Sequence, residues 1–269
     1  MKTDKSISRE HLLYLKGRRR ERILITLARW AVLIALLGVW ELAAAVGLID
    51  AFVFSSPSRI FVALKDLTAS GELFLHAGVT LAETLIGFII STAIGTALAL
   101  LLWWNGRVKQ IAEPYLVVLN SLPKIALGPV IIIWFGSGMR AIVVMTVLIG
   151  VVVSLMTMLS GFEQTDKGKL LLMRSLGASR MNVLLKLVIP SSLPTFVNML
   201  KINVGLSWIG SIMGEYLVSR AGIGYLIVYG GQVFKLDLVM SAVFILCVLA
   251  AAMYALVALL ERMVIKNKQ

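Results

Sequence analysis

The chain has 269 residues, of which 59% are hydrophobic and 15% charged, so a water-soluble form would expose more apolar surface than globular surfaces carry. Its net charge of +12 comes without an aromatic-interleaved basic face, which argues against nucleic-acid binding. The lone Cys247 excludes an intrachain disulfide or a thiolate cluster, and His11 and His76 lack ligand-spaced neighbours, so neither a metal site nor a cofactor is expected in this chain.

In chain order, a basic cytoplasmic segment, 1–22, comes first. Positions 7–22 suit either an interfacial helix at the inner leaflet or a disordered basic tail. The apolar run that follows, 23–49, is too long for the core of a cleaved signal peptide and reads as a retained span. Six segments qualify as membrane helices, at about 24–46, 81–103, 114–135, 142–159, 190–216 and 239–260. They predict an all-α polytopic membrane protein with a transmembrane domain over 23–265 and a short tail, 266–269. A Ser and Pro start signal at Ser56 and Pro57 predicts a further helix over 59–67, lying along the outer surface. With the N-terminus inside, the inner connections carry eighteen Lys and Arg and the outer ones five, which puts both termini in the cytoplasm. No internal repeat is visible.

The longest inner connection, 161–189, has a helical apolar pattern, a Gly-Ala-Ser break, a second helical pattern and Pro190 as the start of the next span. Two short helices at about a right angle are expected. The run Arg174-Ser175-Leu176-Gly177-Ala178-Ser179, with Leu171 before it and Pro190 after it, resembles the cytoplasmic loop of binding-protein-dependent ABC permeases. Leu171-Leu172-Met173 stand where that family has Glu-Ala-Ala, so docking here would rest on apolar packing. Leu122-Pro123-Lys124 through Gly138, and Glu215 with Gly222 to Ile227, are similar to the nitrate, sulfonate and taurine branch.

The resemblance implies a type I ABC importer permease for a small, anionic solute of the nitrate, sulfonate or taurine kind or for a vitamin precursor, working as a homodimer in the bacterial inner membrane. Its partners would be two cytoplasmic ATPase subunits, which carry the ATP and Mg, and an extracytoplasmic solute-binding protein. The loop around Gly177 would couple the ATPases to the spans.

Polar residues within the spans are the candidates for a translocation path: Asn120, Ser121 and Lys124 in the third, and Asn198, Lys201, Asn203, Ser207 and Glu215 in the fifth. A cation at depth suits an anionic solute, although Lys124 could equally snorkel or pair with Glu113 or Glu215. Asn198, Lys201 and Glu215 are expected near one face, with Gly205, Gly210 and Gly214 allowing close helix packing. No nucleophile triad, catalytic carboxylate pair or phosphate-cradling loop is present, so the chain is not expected to be an enzyme. The rival reading, a secondary transporter powered by an ion gradient, explains the buried charges but leaves the long inner loop without a task.

Overall fold

A computed structural model describes residues 9–266, and its regular elements are all helical. These residues divide into two units between Val62 and Ala63.

In the first unit, α1 (Arg9–Ala45) is a single helix. The basic cluster and the apolar run share one unbroken helix; positions 1–8 lie outside the described residues. No residue in the apolar core of α1 is buried, as in a lipid-facing span. After the single turn α2 (Ala51–Phe54), Glu41 accepts hydrogen bonds from the Ser58 amide at 2.9 Å and its hydroxyl at 2.7 Å. These fix the start of α3 (Pro57–Ala69), the helix predicted from Ser56 and Pro57.

The second unit is built on α4 (Glu72–Trp104), α7 (Met139–Glu163) and α10 (Ile189–Val218), with α11 (Ile223–Gln232) and α12 (Leu236–Lys266) packed beside α10. Its interior mixes apolar clusters with many small and polar side chains. The buried side of α4 carries His76, Thr80, Glu83, Thr84, Gly87, Ser91, Thr92 and Gly95, while Leu85, Ile89 and Leu101 face outward. Lipid is as apolar as leucine, so burying leucine between spans gains little, and small or hydroxylated residues that let backbones approach are favoured instead. Gly210 shows how close the approach is: a Cβ there would lie 2.6 Å from the Cα of Thr146 on α7. Gly214 is similarly tight against Ile142, whereas Gly205 has open space around it, so two of the three glycines expected at packing surfaces are found there.

Two expectations are corrected. The third span is interrupted, as its prolines lead one to expect, but at Pro123 and not at Pro129: α5 (Gly106–Ser121) and the stretch Lys124–Phe135, a 3₁₀ turn followed by α6 (Gly128–Phe135), meet at 83°. Pro123 causes the break, since the residue before proline is driven out of helical geometry and Leu122 has ψ of 134°. The described residues thus hold five helices long and apolar enough to cross a membrane, or six with this bent pair as one.

The second correction concerns Pro190, which does not start the fifth span. Helix runs from Arg180 to Val218 through α9 (Arg180–Val183), a π turn (Leu184–Val188) and α10. At the end of the turn the Ile189 amide donates to the Leu184 carbonyl five residues back, and the wider turn relieves the clash of the Pro190 ring with the turn before it. The second of the two expected loop helices is therefore the first turn of the span itself.

Candidate functional site

The loop between α7 and α10 is set by local capping. Asp166 accepts the Lys169 amide at 2.8 Å and starts α8 (Lys167–Ser175). At its other end the Gly177 amide bonds to the Arg174 carbonyl and the Ala178 amide to the Met173 carbonyl, both at 3.0 Å. This paired arrangement needs a left-handed residue between them, which Gly177 supplies with φ of 73°. Ser179 then caps α9 by accepting the Asn182 amide at 3.3 Å.

Of the loop residues read from the sequence, Leu171 and Leu176 are among the most exposed apolar side chains, at 67% and 77%, with Leu172 beside them at 60%. Leu170, Met173 and Ala178 turn inward onto a core with Ala99, Leu102, Leu159 and Val183. Arg180 anchors the loop to the end of α4, donating to the Trp103 carbonyl at 3.4 Å and lying 4.9 Å from the Trp104 ring centre. The result is a fixed platform with an apolar outer face.

The eight candidate path residues are not brought together. Asn203, Ser207 and Glu215 are buried between α10, α4 and α7, and the Asn203 amide donates to Ser154 at 2.8 Å, Thr92 at 2.9 Å and Ser91 at 3.3 Å. Asn198 is exposed, and Lys201 is paired with Glu261 of α12 at 2.5 Å. Asn198 and Glu215 therefore point different ways, since seventeen positions along a helix leave them about 100° apart around its axis. At the break of the third span Asn120 and Ser121 are exposed. The half-buried Lys124 donates to the Asn120 carbonyl at 3.2 Å, and neither Glu113 nor Glu215 is its partner.

Glu215 serves a different purpose from the one expected of a path residue. The first amides of α11 have no partners within their own helix, and side chains from other helices supply them. The Gly222 amide donates to His76 Nδ1 at 2.9 Å, that of Ile223 to Thr80 Oγ1 at 2.7 Å and that of Gly224 to Glu215 Oε2 at 2.5 Å. His76 also stacks on Tyr225 with ring centres 5.8 Å apart. His76, Thr80 and Glu83 were missed by the sequence reading. The signal available was the repeat of small and polar residues at helical spacing along α4, from His76 through Thr80, Thr84, Gly87 and Ser91 to Gly95.

Comparison with known proteins fits this arrangement. The family described as "Binding-protein-dependent transport system inner membrane component" matches residues 89–266. The formylaminopyrimidine transport permease protein ThiX of Halalkalibacterium halodurans is 32% identical, over 86% of this chain and 91% of that protein. The taurine transport system permease protein TauC of Escherichia coli is 24% identical, over 81% of each. Among solved structures, a chain of the MetNI methionine ABC transporter in an inward-facing conformation superposes with a TM-score of 0.66 at 19% identity, over 73% of this chain and 98% of that one. That likeness is one of fold. The chain belongs to the family of binding-protein-dependent transport system inner membrane components, as a multi-pass ABC importer permease of the nitrate, sulfonate and taurine branch.

Proposed function

We propose that the chain forms the membrane path of an importer for a small anionic solute, and that two copies work with two cytoplasmic ATPase subunits and an extracytoplasmic solute-binding protein. The observation that carries this reading is the α8 platform, whose outer leucines are exposed on a loop otherwise capped and anchored. Such a surface suits a partner groove that accepts an apolar helix face. ATP and Mg belong to the partner. The charge asymmetry of the connections supports a cytoplasmic position for the platform and both termini.

Gly177→Trp tests the coupling. Nothing lies within 4 Å of a Cβ at this position, so the substitution acts through the left-handed backbone and not through a clash. A side chain there costs about 1–2 kcal/mol, and uptake together with solute-stimulated ATP hydrolysis should fall by roughly tenfold. Normal coupled activity at normal expression would count against the platform as the docking element.

The anionic solute is supported by Lys124 at the 83° break, where backbone leaves helical geometry within a membrane segment. One of its three N–H groups is used on the Asn120 carbonyl, which leaves two for a solute. Lys124→Met should lower uptake by about tenfold or more, the worth of a charge-assisted hydrogen bond, while leaving ATPase assembly intact. Lys124→Arg should retain more. Transport by Lys124→Met at the parent rate would remove the support for an anion.

A further inference from the structure

Beside the platform, a cavity of about 470 Å³ is lined by Trp103, Leu170, Arg174, Ala178, Arg180 and Val183. Two of these six are arginines and none is acidic. The acidic groups of the same loop are engaged elsewhere, Asp166 in capping α8 and Glu163 in an ion pair with Lys109. Arg180 has one N–H on the Trp103 carbonyl and its Cζ 5.8 and 4.9 Å from the Trp103 and Trp104 ring centres, which leaves most of its five donors free. Arg174 is exposed and makes no ion pair or side-chain hydrogen bond among the described residues.

The depth of the cavity narrows its ligand. With 33 residues, α4 is about 50 Å long at ~1.5 Å per residue, against a hydrocarbon thickness of ~30 Å, so its last residues emerge from the apolar layer. Trp103 and Trp104 then lie at the headgroup level, where tryptophan is commonly found. A cavity at that level with two forked guanidiniums, an indole wall and the apolar Leu170, Ala178 and Val183 is suited to a phosphate oxyanion attached to a less polar body.

We propose that Arg174 and Arg180 bind the phosphate of an anionic phospholipid, held against Trp103 at the junction of the platform and α4. The ligand chemistry is a phosphate ester, so free inorganic phosphate is the competing source. Arg174 belongs to the loop proposed above to meet the ATPase, but lipid binding needs no ATPase and is tested without one.

The experiment uses the full chain in nanodiscs of phosphatidylcholine alone or with added phosphatidylglycerol, and native mass spectrometry to count lipids retained after release from the disc. The parent should retain phosphatidylglycerol over phosphatidylcholine. Arg174→Gln should lower that retention by at least about tenfold, as loss of a charged hydrogen-bonding group predicts. Because the Arg174 side chain has no hydrogen-bond or ion-pair partner among the described residues, the melting temperature of this variant should match the parent's. Ala178→Glu gives a second route, placing a carboxylate among the arginines and displacing the lipid without removing either of them.

In a separate arm, inorganic phosphate is titrated into phosphatidylcholine discs and followed by ³¹P NMR. Phosphate binding that Arg174→Gln abolishes, without retention of phosphatidylglycerol, would overturn the lipid as source and assign the free anion. Equal retention of both lipids, or phosphatidylglycerol retention indifferent to Arg174→Gln and Ala178→Glu, overturns the proposal. So does a parent that binds neither, with Arg174→Gln instead failing to co-purify with the ATPase.

Discussion

Glu215→Leu should destabilise the purified chain by about 3 kcal/mol, seen as a fall of roughly 6–12 °C in melting temperature in detergent. The leucine would leave the Gly224 amide buried with no acceptor, and it would strip the negative end from the start of α11, where a helix favours an anion. Glu83 meets the same carboxyl group from α4 and would lose its partner too. Glu215→Gln keeps a carbonyl acceptor in nearly the same place and should cost only about 1 kcal/mol, the part due to charge at the helix terminus. A Leu variant as stable as the Gln variant would show that the Gly224 amide finds another acceptor and that the capping account is wrong. Transport measurements on either variant are informative only after this stability comparison.

A second large effect is expected at Gly210. Its missing Cβ lets α10 lie against the backbone of α7, and the atom that an added Cβ would meet is the Thr146 Cα at 2.6 Å. A side chain could rotate away, but a backbone atom cannot move without the helix. Gly210→Val should therefore separate the two helices or prevent folding, at a cost above the 1–3 kcal/mol typical of overpacking. Gly205→Val, five residues earlier on the same helix and with nothing within 4 Å, is the control and should accumulate like the parent. Equal yields of folded protein from both variants would mean that α7 and α10 are less closely packed than described.

The spans were legible because a membrane helix declares itself by composition and length, and the runs at 24–46, 81–103, 142–159 and 239–260 lie within observed helices but for Val46, one residue past the end of α1. What composition cannot supply is direction around the axis. Asn203 and Lys201 are two positions apart and both polar, yet one joins three hydroxyls in the core and the other pairs with Glu261 on α12. That difference depends on which neighbours the helix acquires. Prolines were ambiguous for a related reason. Pro123 breaks its helix and Pro190 does not, because the π turn before Pro190 keeps the chain helical whereas Leu122 turns extended. The loop was legible through Gly177 and Ser179, whose roles in turning and capping are local and need no tertiary partner. Arg180 was not, since the tryptophans that receive it lie 76 and 77 positions earlier.

The unbroken helix from Arg180 to Val218 has a mechanical consequence. At 39 residues it is about 58 Å long, and it is gripped near Asn203, where three hydrogen bonds and close backbone contacts hold it to α4 and α7. The hold continues to Glu215, since Ser211 bonds to Thr84 at 2.7 Å and Gly210 and Gly214 lie against the α7 backbone, which leaves an arm of roughly 35 Å toward Arg180. The π turn, Pro190 and Pro194 all lie on that arm, so a push at Arg180 is taken up first by bending there, and the clamped segment that caps α11 feels only what the bend passes on.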